Sequence, residues 1–342
     1  MSGREIRTME EFAEAIGISR PTVSKYFNDP ASVRKTTRDR IEAALEEHHY
    51  QPNIFAINQN RKATKCIGIL VPYLSDPFFA EMVRLMERRC IDAGFWPVIL
   101  SAHGEQHLEN EALATMRSLR PTGALLAPLG RASDLKALER FARNVPTVVF
   151  DSNVPVGETF VGSNNFQSIP MIVDYLCRTG EPPCFMEMQP VNPNANKRRD
   201  AYIMAMEKLG YDPQVVRVEG SGWEFEQIGL ELGGEMLSSG GFPSSTILCS
   251  NDRLAIGLIA AAFERGLRVG HGQGCALRVA GHDDHPLSRF TTPPLTTVSQ
   301  DYMSIVNKSV ATLFDLVESG ERNQGNRTEI LFDGKLILRS SA

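Results

Sequence analysis

No uninterrupted apolar run in this 342-residue sequence reaches the roughly 20 residues that a membrane-crossing helix needs. The opening stretch, MSGREIRTMEEF, lacks the apolar core of a secretory leader, so the expectation is a cytoplasmic chain. The six cysteines, at 66, 90, 177, 184, 249 and 275, form no CxxC pair. That spacing offers no zinc ribbon and points to reduced, mostly buried thiols. Catalytic patterns are missing as well. Gly270-His271-Gly272-Gln273-Gly274 has neither the Lys-Ser/Thr of a P-loop nor GxGxxG spacing, and reads as a flexible turn. There is no GxSxG elbow and no Cys/His nucleophile pattern. His282-Asp283-Asp284-His285 crowds four metal-ligand types onto one short loop with no distant partner, and Gly104 separates His103 from His107. The expectation is no metal, no cofactor and no catalytic residue.

What the chain does have is ordinary globular material, 42% hydrophobic and 23% charged, enough for two or three domains. Its charge is uneven. Residues 1–65 carry 11 Lys/Arg against 9 Asp/Glu, and the remainder 25 against 32. A mildly basic head on an acidic body suits a head that meets an anionic polymer.

The head reads as three short helices. Thr8-Met9-Glu10-Glu11 is a capping box, followed by Met9, Phe12, Ala13 and Ile16 at helical spacing. Gly17 stops that helix, and Ser19 caps a second with Pro21 in its first turn. Two helices around Gly17-Ile18-Ser19 make a helix-turn-helix. The exposed face of the second would carry Arg20, Pro21, Thr22, Ser24 and Lys25, whose donors suit guanine edges and phosphates. A third helix, opened by Thr36 or Thr37, sets Ile41, Leu45 and His48/His49 on one side. Arg34, Lys35, Arg38 and Arg40 near its start would be within reach of phosphates.

From residue 66, β-rich runs alternate with amphipathic helices. Strands are expected near 67–71, 97–101, 123–127, 146–150, 184–188, 214–218, 245–249 and 277–281. Helices fit at 77–93, 107–119, 133–143, 165–179, 196–209, 224–239, 251–266 and 301–319. Such alternation implies parallel sheets covered on both faces, and the length favours two α/β lobes. Residues 327–338 read as closing strands.

The run GISRPTVSKYFNDPASVRKTTRDRIEAALEEHHYQPN resembles the DNA-binding head of the LacI/GalR family of bacterial regulators. The resemblance continues through IGILVPYLSDPFF, Asn251-Asp252, GHDD at 281–284 and TTPPLTTVSQD at 291–301. It implies an N-terminal helix-turn-helix domain (1–52), a hinge (53–65) and a two-lobed, periplasmic-binding-protein-like effector domain (66–342). The lobes would be 66–162 plus 300–325, and 163–299 plus 326–342. It implies DNA contacts from Thr8, Ser19, Arg20, Pro21, Thr22, Ser24, Lys25, Asn28, Thr37, Tyr50, Asn53, Ala56 and Gln59. Where the family's hinge has a leucine that wedges into a base step, this sequence has Gln59, so it is expected to bend its operator less, unless Phe55 or Ile57 wedges in a shifted register.

Ligands of such sheets bind beyond the carboxyl ends of the strands. The residues falling there are Asp76, Phe78, Phe79, Asp151, Arg198, Trp223, Asn251, Asp252, Asp283 and Gln300. Carboxylates, amides and a guanidinium serve hydroxyls, and aromatic rings stack on an apolar sugar face. The effector is expected to be a sugar, sugar acid or polyol, with a purine-like compound as the alternative. His282 stands where the family has Phe or Tyr. The expected function is a sequence-specific transcriptional regulator, a repressor, working as a homodimer on palindromic operator DNA at the bacterial nucleoid. A solute-binding protein would need a leader and no helix-turn-helix, and a sugar-modifying enzyme would need catalytic residues.

Overall fold

The computed structural model describes residues 6–51, 64–220, 222–320 and 327–342. The chain divides into two compact units, Met1–Thr64 and Lys65–Ala342. In the first, α1 (Met9–Ala15), α2 (Arg20–Asn28) and α3 (Lys35–His48) enclose a small core of Phe12, Val23, Ile41 and Tyr50. The Thr8 capping box forms on both sides, with Glu11 N–H donating to Thr8 Oγ1 at 3.1 Å and Thr8 N–H to Glu11 Oε2 at 3.2 Å. Gly17 takes φ +63°, so the chain reverses there without a Cβ clash. α3 begins at Lys35, ahead of both Thr36 and Thr37 that were expected to open it, and no side chain caps it.

In the second unit a six-stranded sheet has the order β11-β5-β4-β3-β1-β2, all parallel. Its strands are β1 (Cys66–Val71), β2 (Trp96–Ser101), β3 (Gly123–Leu126), β4 (Thr147–Phe150), β5 (Thr159–Ser163) and β11 (Thr328–Phe332). α4 (Pro77–Asp92), α5 (Gln106–Leu119), α6 (Leu135–Ala142) and α11 (Tyr302–Ser319) belong to this lobe. β3 and β4 are buried at every position, as two covered faces require.

The other lobe is built on a four-stranded parallel sheet, β7-β6-β8-β9, formed by β6 (Cys184–Met186), β7 (Val215–Val216), β8 (Thr246–Cys249) and β9 (Arg278–Ala280). An antiparallel pair, β10 (Thr297–Ser299) with β12 (Lys335–Ile337), extends it through bridges at Ala280–Thr296 and Asp283–Ser299. Its helices are α7 (Asn165–Thr179), α8 (Pro193–Lys208), α9 (Phe225–Ser238) and α10 (Asp252–Glu264).

Two differences from the sequence reading matter. β5 was not among the expected strands: only 151–158 separate it from β4, too few residues for the helix that marks every other crossover in this sheet. The second concerns 326–342, expected wholly in the second lobe. β11 instead pairs in parallel with β5, and the chain crosses between lobes only at 333–334, before β12. Alternation cannot show which of two sheets an edge strand joins.

Candidate functional site

In the head, Arg20, Pro21, Lys25 and Asn28 of α2 are exposed, with Thr22 and Ser24 half-buried beside them. Ser19 and Thr22 share a hydroxyl hydrogen bond of 2.8 Å. Arg20 Nε pairs with Glu10 at 2.8 Å, both side chains more than half exposed, so the pair opens at little cost when a stronger anion arrives. Thr37 is half-buried in the first turn of α3, and Arg34 and Lys35 are exposed. Two expectations change. Tyr50 is only 5% exposed, its ring stacked on Phe12 at 4.5 Å, so it builds the core of the head rather than its contact face. Arg40 donates to the Ile16 carbonyl at 3.0 Å, closing the end of α1 instead of standing free for a phosphate. Asn53, Ala56 and Gln59 lie outside the described residues.

Between the two lobes, nine of the ten expected effector residues converge on one cavity: Asp76, Phe78, Phe79 and Asp151 from one lobe, Arg198, Trp223, Asn251 and Asp283 from the other, and Gln300 at the crossover. Local rules place them. Asp76 caps α4, accepting from Phe78 N–H at 2.9 Å, and Pro77 at the first helical position turns the two phenylalanines inward. Asn251 caps α10 in the same way, accepting from Leu254 N–H at 2.8 Å. Asp151 directly follows β4 at φ +55°, and Asp283 lies three residues beyond β9 at φ +128°. Such strained backbone at two strand ends is the kind that concentrates at binding sites.

The polar groups form a connected network. Arg198 donates to Asn165 Oδ1 (3.1 Å), the Ser250 carbonyl (2.8 Å) and Asp283 Oδ1 (2.7 Å). Gln300 (2.6 Å) and His282 Nδ1 (3.1 Å) reach the same Asp283 oxygen, while His282 Nε2 lies 2.8 Å from Ser168 Oγ. Nδ1 facing a carboxylate fixes the tautomer, with Nδ1–H donating and Nε2 accepting from the serine. His282 therefore supports Asp283 from behind. Burial pushes the Asp283 carboxyl up, but Arg198 and then His282 outweigh it and hold it at about 2. Burial and the nearby Arg198 charge push His282 down to about 4, so it is neutral.

Asp151 differs. It accepts from Asn194 Nδ2 at 3.0 Å, and burial, helped by the Asp283 and Asp76 charges, lifts it to about 7 despite Arg198. Asp76 bridges the lobes to Arg253 at 2.9 Å, and Arg253 also pairs with Glu226 at 2.6 Å. Counted together, Asp76, Asp151, Asp283 and Glu226 face Arg198 and Arg253, an excess of carboxylate. The apolar side is an aromatic cluster, with Trp223 6.3 Å from Phe79 and 6.0 Å from Phe225, centroid to centroid.

Asp252 is the expected effector residue that does not reach the cavity. It is fully buried behind it, accepting from Thr297 Oγ1 (2.6 Å), Ser288 Oγ (2.6 Å) and His285 N–H (2.8 Å), so it secures the loop after β9. Sequence reasoning missed Met188, Asn192, Asn194 and Phe225, which also line the cavity. Asn194 carried a signal in Asn192-Pro193-Asn194 opening α8. Met188 carried none.

Residues 8–53 match the family model for bacterial regulatory proteins of the lacI family, and 176–342 match that for a periplasmic binding protein-like domain. The ribose operon repressor of Escherichia coli (strain K12) is 29% identical over 296 residues, 86% of this chain and 88% of that protein. The HTH-type transcriptional repressor PurR of Haemophilus influenzae (strain PittEE) is 26% identical over 338 residues, 98% of each. The Lac repressor dimer bound to operator and the anti-inducer ONPF superposes with a TM-score of 0.83 at 25% identity, covering 99% of both chains.

Proposed function

Because the chain belongs to the LacI/GalR family of DNA-binding transcriptional regulators, we propose that its cleft holds the effector that sets operator affinity, and that this effector is a neutral sugar or polyol. The observation that carries the reading is the cavity's charge balance. Arg198 is already paired with Asp283, and Arg253 with Asp76 and Glu226, so neither guanidinium is spare for an anionic ligand. Asp151 and Asp283 each have one oxygen to which no described protein group donates, and these suit hydroxyl donors. Of the classes expected from sequence, a sugar acid fits worst.

The head supplies the DNA contacts, with Arg20, Thr22, Ser24 and Lys25 on the face of α2. A single helix-turn-helix reads few base pairs, so the protein acts as a homodimer on a palindrome. It acts as a repressor, the one role its relatives' names state of them. Phe263 and Phe290, 78% and 74% exposed, are apolar surface that suits a second copy. The cavity binds rather than catalyses. Among the described residues no helix is long and apolar enough to cross a membrane, and a cytoplasmic protein is the reading that goes with a DNA partner.

Calorimetric titration of the full-length protein with matched neutral sugars, polyols and sugar acids tests the charge argument. A neutral compound binding at least tenfold tighter than its acid is the expected result. An acid binding tighter than its neutral parent would overturn it.

A further inference from the structure

Among the described residues, three short segments join the lobes: 164 between β5 and α7, 300–301 between β10 and α11, and 333–334 between β11 and β12. Each is tied to one carboxylate oxygen, Oδ1 of Asp283. At the first crossover, Arg198 Nε donates to Asn165 at 3.1 Å while Arg198 Nη2 donates to Asp283 at 2.7 Å. At the second, Gln300 donates to Asp283 directly, at 2.6 Å. The third is reached through His282, whose Nδ1 lies 3.1 Å from the same oxygen and whose Nε2 lies 2.8 Å from Ser168 Oγ. We propose that His282 and Ser168 are positioning residues that relay the state of Asp283 to the third crossover, so that an effector bound to this carboxylate changes how the lobes are held. The proposal rests on reading the cavity as a sugar or polyol site.

The relay has no spare atom. A neutral imidazole offers one donor and one acceptor, and here Asp283 takes the first and Ser168 supplies the second. His282 and Ser168 are both fully buried, so water cannot stand in for either partner. Phenylalanine, which the LacI/GalR family carries at this position, would occupy the same space and make neither bond. On the ligand side, three donors crowd Oδ1, which has two lone pairs, while no described protein group donates to Oδ2. An effector hydroxyl donating to Oδ2 draws charge from Oδ1, and the bonds to all three crossovers feel the change.

Ser168 stands in the opening turns of α7, where the third crossover is clamped. A Cβ on Gly334 would lie 3.0 Å from Ser168 Cβ and 2.7 Å from Val298 Cγ1, so only glycine allows this approach. Gly334 N–H donates to Gln167 Oε1 at 2.8 Å, and Asn164 Nδ2 donates to Asp333 Oδ1 at 2.9 Å. The Asp283 main chain arrives by a second route, its N–H donating to the Val298 carbonyl at 2.8 Å. A displacement of Asp283 therefore reaches Gly334 through side chain and main chain together.

The test uses full-length protein and the tightest binder among D-ribose, D-xylose, D-glucose, D-galactose and D-mannitol. Fluorescence anisotropy on duplex DNA carrying the palindromic operator gives the fold-shift in Kd caused by saturating sugar. It is measured for the wild type, Ser168→Ala, His282→Phe and the double variant. The wild-type shift should be about fivefold or more, and each single variant should lose about half of it or more. Ser168→Ala removes one oxygen outside the cavity, so its sugar Kd and its sugar-free operator Kd should stay within about threefold of the wild type. The double variant should lose no more than His282→Phe alone, because the two side chains act in series. A merely structural pair would lower thermal stability without touching the shift, or its two losses would add. A shift undiminished in Ser168→Ala, or additive losses, would overturn the relay alone. Binding of no compound in the panel by the wild type would overturn the sugar reading of the cavity and this proposal with it.

Discussion

Asp151 and Asp283 stand at the ends of two strands, and burial drives both carboxyls in the same direction. One is nevertheless held at about 7 and the other at about 2. The difference lies in their partners: a guanidinium, an imidazole N–H and an amide meet Asp283, while one amide side chain meets Asp151. A carboxyl raised above its unfolded value contributes stability that is present at low pH and lost as pH rises, here between about 4 and 7. Replacing Asp151 by Asn should therefore stabilise the protein at pH 8 by on the order of 3 kcal/mol, with the gain vanishing near pH 4. The same variant should bind a neutral sugar at least tenfold more weakly at pH 8, having lost an anionic acceptor. Urea denaturation and calorimetry at the two pH values check both, and a stability difference independent of pH would refute the assignment. At this scale the sequence was informative about residue type and less so about direction. Asn251 and Asp252 are neighbours of similar polarity, yet the first lines the cavity and the second secures a loop behind it. Only the helix that begins between them separates those roles.

Elements bring the lobes together through their first turns. The cap of α4 is Asp76, which pairs across the cleft with Arg253 in the first turn of α10. Both side chains are nearly buried, so the two single substitutions should differ. Asp76→Asn keeps a capping oxygen and leaves Arg253 its Glu226, at a cost of about 1 kcal/mol. Arg253→Gln strands Asp76 as a buried carboxylate without its cation, at a cost of about 3–5 kcal/mol. The double variant should be less destabilised than the sum, because a neutral amide in place of the Asp76 carboxylate no longer needs a cation. Additive costs in urea denaturation would show that the pair does not couple the lobes. Helices were legible from sequence to within a few residues, since their 3.6-residue apolar period and Asp or Asn caps are local. β5 and β11 were not. β5 breaks the strand-helix alternation, and the sheet that β11 joins is fixed by pairing with a strand more than 160 residues earlier.

At the scale of the whole molecule, a helix-turn-helix unit of nearly balanced charge is joined to an acidic two-lobed unit. By linkage, any effector that changes DNA affinity has its own affinity changed by the same factor. Arg198 is the residue through which this coupling is most exposed to test. It ties Asp283, Asn165 and the Ser250 carbonyl into one network in the cleft, and it belongs to the unit that does not carry α2. The most direct measurement is fluorescence-anisotropy binding of palindromic operator DNA, at fixed salt, with and without the neutral sugar found by titration, for the wild type and Arg198→Ala. The sugar should shift the wild-type Kd by about fivefold or more, the lower range of allosteric coupling. Arg198→Ala should still bind the operator while the shift disappears. A shift that persists undiminished in Arg198→Ala would contradict the claim that the cleft is where the effector acts.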